Sequence, residues 1–352
     1  MKSLRHSIIR VGLEAIYFSG AHHVLRSIFG GAGTIFMLHH VRPARDDAFQ
    51  PNRHLEVTPD FLRVTLKHIR DLGVDIVSLD EAHRRLTTAD LSRRFACITF
   101  DDGYRDNRDH ALPVMREFGA PFAVYVAGDF ASGHGRLWWV ALERVIARSD
   151  AIDARINGIE TRIDASTAEA KTAAFAKLHE WLRSMPTDVE VAAAVSDLCR
   201  RHHVDEAAIA PELCMSWQEL AEFARDPLVT IGAHTMSHCN LAHATAEDAE
   251  REMATSRSII QTKLRLPADH LAYPYGDRLA AGARDFAIAA KVGFKTAVTT
   301  RPGMVFAENA GHMMALPRLS LNGNYQDERL LSVLTSGAAT AVWNGFRRVD
   351  AA

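Results

Sequence analysis

Four residues of this chain could, if brought together, hold a divalent metal with a base beside it. Asp101 and Asp102 lie in Thr99-Phe100-Asp101-Asp102-Gly103-Tyr104. His234 and His238 lie in Ile231-Gly232-Ala233-His234-Thr235-Met236-Ser237-His238. Each fragment follows a short apolar run, Phe95 to Phe100 and Leu228 to Ile231, that reads as a buried strand. Strands of this kind deliver polar residues to the carboxyl-end rim of an α/β sheet or barrel, where active sites sit. Histidines at i and i+4 share a face if the segment after His234 is helical. Two imidazoles and one carboxylate, with a position left for water, form the donor set of a catalytic zinc site. Adjacent aspartates at the end of a buried strand repel. One of them on a metal relieves that repulsion and leaves the other free as a base. An ion that lowers the pKa of water and a carboxylate that takes its proton together make hydrolysis.

Each fragment alone has an ordinary explanation. With 18 histidines in 352 residues, an HxxxH pair can arise by chance or as a pair on a helix surface. Asp-Asp-Gly is a common turn. Adjacent acids after a strand also hold magnesium in phospho-acceptor receiver domains, which need no paired histidines.

A third fragment, Leu271-Ala272-Tyr273-Pro274-Tyr275-Gly276, decides between these readings. With it the sequence resembles the polysaccharide deacetylases, the NodB-homology group of carbohydrate esterase family 4. The first motif of that family, TFDDG, is intact at Thr99 to Gly103, and the second, H[ST]xxH, at His234 to His238. The third, RxPY-like, is present in reduced form as Ala-Tyr-Pro-Tyr-Gly. Met37-Leu38-His39-His40-Val41 is similar to the YHxV stretch that opens many bacterial members. The landmarks run from residue 35 to about 320.

The resemblance implies a distorted (β/α)7-8 barrel and a metal-dependent hydrolase that removes N-acetyl groups from N-acetylglucosamine-containing oligo- or polysaccharide, a chitooligosaccharide for example. Asp101 would be the general base. Asp102, His234 and His238 would hold the ion, usually zinc, with cobalt or nickel as substitutes. The Tyr275 amide would help stabilise the oxyanion while its ring lines the sugar groove beside Tyr273. Two departures stand out. The arginine that opens the third motif and orients the base aligns with Ala272, and Arg318 is the candidate replacement. The late LxH motif has no clear counterpart, so His39 and His312 are the candidates for the proton donor. Two other readings stay open. One is an inactive carbohydrate-binding relative, and the other is a different amidase or esterase on the same scaffold.

Composition bounds the rest. A formal net charge of -2 gives no basic stripe for nucleic acid. Cys97, Cys199, Cys214 and Cys239 form no CxxC pair, which permits a reducing compartment. Cys239, next to His238, reads as a small buried thiol rather than a ligand. There is no apolar run of about 18 residues for a membrane span and no secretory signal, so a cytoplasmic location is expected. The stretch from Ile8 to Phe29 is amphipathic. It can pack on the outside of its own barrel, the commoner fate, or rest on a membrane surface. Oligomeric state is not legible.

Strand and helix alternate along the chain. Strands are expected at Thr34 to Leu38, Asp75 to Val77, before Asp101, at Pro121 to Val126, before His234, before Tyr273, at Phe294 to Thr299 and at Met313 to Leu316, with Arg318 after the last. Helices are expected from Pro59 (capped by Thr58), Glu81, Arg105, Thr245 and Leu279. Ser216 with Glu219 reads as a capping box. The alternation breaks between 131 and about 212, where a hairpin (Arg155 to Asp164) and two helices (Ala168 to Leu182, Val189 to His202) form an insertion suited to a substrate wall. Trp138 and Trp139 at its start could stack on sugar rings. The organisation expected is an N-terminal segment, 1–30, then a barrel, 31–346, carrying the insertion.

Overall fold

The computed structural model describes residues 2–351 and, of residues 2–6, the backbone alone. Seven strands carry the fold: β1 (Gly33–Leu38), β2 (Phe95–Phe100), β3 (Phe122–Val126), β4 (Val229–Ala233), β5 (His270–Ala272), β6 (Thr296–Pro302) and β7 (Leu316–Ser320). Each pairs in parallel with the next, and β7 pairs in parallel with β1, so the ring closes in chain order. The short strand Asp75–Ile76 adds to β2 outside the ring, where it pairs with Phe95 and Ala96.

Side-chain alternation along each strand divides the core in two. Outward residues such as Phe36, Ile98, Phe100, Val124, Ile231 and Leu319 pack beneath the surrounding helices. Inward residues such as Ile35, Cys97, Tyr125, Val298 and Leu316 fill the barrel, and Leu79 and Leu86 of the Leu79–Thr87 helix join this inner cluster. Gly232 is required by this filling, because a Cβ there would lie 2.5 Å from the Tyr125 ring.

Between β3 and β4 the chain builds its own apolar cluster. The Trp138–Ala147 helix, the hairpin Ala151–Ile156/Ile159–Asp164 and the helices Ala168–Arg183 and Asp188–Arg201 enclose Leu142, Phe175, Leu178 and Leu198. Phe49, from the loop after β1, packs edge-on against Phe175 at 6.3 Å. The insertion is thereby tied to the barrel rim.

Four local expectations need correction. The N-terminal stretch is two helices, Lys2–Phe18 and Ala21–Phe29, broken at Gly20 in the left-handed region. The helix expected from Leu279 starts at Ala283, because Asp285 accepts from the Gly282 amide and fixes the start there. Met313–Ala315 is a 3₁₀ turn and the strand is Leu316–Ser320, so Arg318 lies within β7 rather than after it. The helix after Arg105 contains a π-turn at Asn107–Ala111, a distortion that is frequent at functional sites.

Candidate active site

Parity along the strands decides which side chains enter the barrel mouth. In β2, Cys97 faces inward while Ile98 and Phe100 face outward, so Thr99 and then Asp101 are the following inward positions. The same count brings in His39 four residues beyond the inward Ile35, His234 after the outward Ala233, and Arg318 two beyond the inward Leu316. The four side chains converge from four different strands.

Arg318 meets Asp101 as a fork. Nη1 donates to Oδ1 and Nη2 to Oδ2, both at 2.7 Å, and the Arg318 side chain is 0% exposed. Its Nε donates to Thr299 O at 2.9 Å, which fixes the plane of the guanidinium. Burial pushes the Asp101 carboxyl up, but the charge and hydrogen bonds of Arg318 outweigh it and hold the group below its ordinary value. His39 Nε2 lies 4.0 Å from Asp101 Oδ2, and its side chain keeps 19% exposure. Burial pulls the His39 imidazole down, against the raising influence of Asp102 and Asp101. The backbone around His39 is clamped. Asn107 Nδ2 donates to His39 O at 2.7 Å, and Asp106 accepts from the Val41 amide and pairs with His40 Nδ1 at 2.6 Å.

Asp102, His234 and His238 form a second group, with their donor atoms all within 4.8 Å of one another. The Asp102 Oδ1 atom is 3.5 Å from His234 Nε2 and 3.3 Å from His238 Nε2. It is buried and has no hydrogen-bond partner among the described residues. These spacings are long for hydrogen bonds and match the edge of a tetrahedron with metal–ligand bonds of 2.0–2.1 Å, about 3.3–3.4 Å. His234 Nδ1 lies 2.7 Å from Ala272 O, and donation there leaves the Nε2 lone pair free for an ion. The three donors therefore fit a divalent metal with one open position. Burial alone would raise Asp102, but the facing imidazoles hold it well below the usual carboxylate range.

The two histidines do not share a helix face, as the spacing had suggested. Residues 234–238 form an irregular loop in which Thr235 and His238 have φ of 59° and 57°. Glu252 shapes this loop, accepting from the Met236 and Ser237 amides at 2.8 and 2.9 Å and from Ser237 Oγ at 3.0 Å. Asp102 (72°) and Tyr275 (59°) are also left-handed, so four of the nine non-glycine residues with positive φ among the described residues belong to this site. Such strain is expected where the surroundings over-determine a functional geometry.

His238 is boxed by aromatic rings, with centroids of Trp139, Tyr275 and Phe130 at 5.1, 5.1 and 5.4 Å. Beyond it opens a cleft of about 300 Å³ lined by Trp138, Arg183, Asp188, His238, His243 and Tyr275, among others. Trp138 Nε1 donates to Tyr275 Oη at 2.9 Å, and the Arg183 guanidinium sits 4.4 Å from the centre of the Tyr275 ring. The Tyr275 amide makes no hydrogen bond among the described residues.

Tyr275 and Trp138 thus line the cleft, whereas two expected sugar contacts do not. Tyr273 is fully buried outside the barrel wall. It packs on Phe286, and its hydroxyl donates to Met314 O at 2.9 Å. Trp139 packs against the His238 ring and does not line the cleft. His312 is exposed on a distant turn. Cys239, half-buried, is not part of the Asp-His-His group. Arg183, Glu252, Asp106 and Asn107 were missed by sequence reasoning. Only Asp106 and Asn107, close behind the first motif, had a local signal.

The family profile described as "Polysaccharide deacetylase" matches residues 88–297. YxkH of Bacillus subtilis, a chain assigned to the polysaccharide deacetylases, is 21% identical over 258 residues, 73% of this chain. The match spans 62% of that relative's length. Among solved structures, the deacetylase PplD of Streptococcus pyogenes, determined with acetate, superposes with a TM-score of 0.57 at 18% identity, covering 86% of this chain and 97% of that one. IcaB of Ammonifex degensii gives 0.51 at 16% identity, covering 87% and 98%. These structural likenesses establish the fold.

Proposed function

We propose, for a chain that belongs to the polysaccharide deacetylase family, that it hydrolyses N-acetyl groups of N-acetylglucosamine units in an oligo- or polysaccharide. Asp102, His234 and His238 would hold the divalent ion, zinc by preference, with cobalt or nickel as substitutes. When bound, the ion supplies Lewis acidity toward the acetyl carbonyl and lowers the pKa of water. The remaining work falls to side chains of this chain. Asp101, kept ionised by Arg318, takes the proton of the attacking water. The free Tyr275 amide donates to the oxyanion of the tetrahedral intermediate. As the C–N bond breaks, the proton taken by Asp101 passes to the leaving amine through His39, whose Nε2 lies 4.0 Å from Asp101 Oδ2, so that acetate and a free amino sugar result and the imidazole ends neutral. Trp138, Tyr275 and Arg183 would wall the sugar.

The observation that carries this reading is the Arg318–Asp101 fork beside the Asp102, His234 and His238 donors. A relative kept only to bind carbohydrate has no use for a carboxylate held ionised by a buried arginine. Membership of the polysaccharide deacetylase family fits an acetylated glycan as substrate. The test is acetate release from a panel of N-acetylated oligosaccharides, chitooligosaccharides included. The protein is assayed as purified, after chelation, and after return of zinc or cobalt. Release that stops with chelator and returns with metal supports the reading. Glycan binding without any acetate release would favour the inactive relative, and release from simple acetyl esters alone would favour an esterase.

A further inference from the structure

The helix Lys2–Phe18 is apolar on two sides. Leu13, with Ile9, Ile16 and Tyr17 beside it, packs on Leu330 and Val333 of the Glu328–Thr335 helix. That contact accounts for its docking. On the other side Ile8, Val11, Ala15 and Phe18 recur at i, i+3, i+7 and i+10, a single stripe on a helix. This stripe faces solvent, with Ile8 63%, Val11 65% and Phe18 71% exposed. After the break at Gly20 the second helix repeats the arrangement, with Val24 and Ile28 at 68% and 50% while His22 is buried. The Ala338–Trp343 helix packs on this second helix, and Phe346 beyond it lies 5.6 Å from Phe29, ring to ring. Val342, Trp343 and Phe346 are also more than half exposed. Eight of the twelve exposed large apolar side chains among the described residues thus belong to this one packing unit. Scattered apolar residues on a surface need no explanation, but their concentration on one packing unit points to an interaction site.

Charge selects the partner. Residues 1–30 carry Lys2, Arg5, Arg10 and Arg26 against Glu14 alone, a net +3 in a chain whose total is -2. Apolar stripes on a sequence segment of net positive charge match the chemistry of an interfacial helix on anionic lipid. A symmetric second copy would set the same positive ends against each other. No helix among the described residues is long and apolar enough to cross a membrane, so the patch would lie on a bilayer rather than span it. We propose that the two N-terminal helices, together with the C-terminal helix packed on them, form a peripheral membrane-binding face for anionic bilayers.

The test is co-sedimentation of the full chain with vesicles of phosphatidylcholine containing 30% phosphatidylglycerol, and with vesicles of phosphatidylcholine alone. The wild type should sediment with the anionic vesicles, at least tenfold less with the neutral ones, and less as salt rises. Val11→Glu/Phe18→Glu should weaken anionic-vesicle binding at least tenfold while leaving the melting temperature and hydrolysis of a soluble substrate unchanged. Val24→Glu/Ile28→Glu, on the second helix, should do the same and serves if the first pair disturbs folding. Three results overturn the proposal: wild type in the supernatant with both vesicles, undiminished binding by both charged pairs, or a wild-type dimer in sedimentation velocity that the charged pairs dissolve.

Discussion

Replacing Arg318 by Met removes a fork from Asp101 and keeps most of the apolar volume. The guanidinium is 0% exposed, and its bonds run to Asp101, Thr99 Oγ1 and Thr299 O. In the wild type, burial pushes Asp101 up and Arg318 more than reverses it, with help from His234 and His39. In the variant, burial is left largely unopposed. A neighbouring cation shifts a carboxylate by about 1–3 units, or about 1.4–4 kcal/mol at about 1.4 kcal/mol per unit. Breaking one side of a buried ion pair costs about 3–5 kcal/mol, so the two routes overlap. The acidic limb of the pH–rate profile should therefore move up by about 1–3 units, turnover near neutrality should fall, and metal content should stay the same. Stability carries the same sign. The wild-type folded carboxyl titrates below the unfolded one, so it stabilises above an unfolded pKa of about 3.9, and that contribution is lost as pH falls through the folded value. In Arg318→Met the folded carboxyl titrates above the unfolded one. The deficit in urea unfolding should then be largest near neutral pH and shrink on acidification, as the buried carboxyl takes up its proton. Arg318→Lys should recover only part of both, because an ammonium cannot fork. An unmoved acidic limb together with a pH-independent stability deficit would refute the argument and reduce Arg318 to packing.

Four further outcomes are expected. Asp101→Asn should retain the metal and lose at least about 10²-fold in acetate release, measured by metal analysis and turnover on one preparation. His234→Ala should lose the ion while its circular dichroism persists, because the barrel closes without it. Tyr273→Phe should cost about 1 kcal/mol in urea unfolding, the worth of its bond to Met314 O, with kcat/KM unchanged; a raised KM would return Tyr273 to the substrate groove. Glu219 is held at about 2 by the Arg105 hydrogen bonds, against some burial, with help from the Ser216 backbone. Its stabilisation is complete above an unfolded pKa of about 4.3 and is lost as pH falls through the folded value. Because the group is partly exposed and solvent screens its pairs, the deficit of Glu219→Gln near neutral pH should be about 1 kcal/mol, fading in strong acid.

What could be read from the chain was whatever depends on period and on contiguous residues. The strand before Asp101 and the one before His234 are short apolar runs, and they announce both residues at strand ends; which face turns into the barrel came from packing. The caps at Thr58, at Ser216 with Glu219, and at Thr245 mark helix starts through local hydrogen bonds, and those starts hold. The insertion announced itself as a loss of alternation. Tyr273 and Trp139 misled because aromatic residues near a motif serve a groove or a core equally well, and only packing decides. Met313 to Leu316 looked like a strand because its residues are apolar, yet the chain turns there before β7 begins.

The parts that escaped share one physical cause: they rest on left-handed backbone or on partners far away in sequence. HxxxH suggests a helix by spacing alone, yet the pair converges through a loop whose left-handed turns at Thr235 and His238 are held by Glu252, some fifteen residues on. Nothing in the local composition signals that clamp. Arg318 lies 217 positions from Asp101, and only the barrel's closure of β7 onto β1 brings them together. The resemblance implies an arginine at the opening of the third motif, where this chain has Ala272, and the same closure lets Arg318 reach Asp101 from β7. A carboxylate at the barrel mouth needs a fork from some inward-facing rim position, and a closed ring offers more than one. In this chain position 272 holds alanine, and the fork on the two Asp101 oxygens comes from Arg318 on β7. The residue at 272 has a duty of its own, through its backbone: its carbonyl orients His234, while its small side chain is fully buried in the inner cluster.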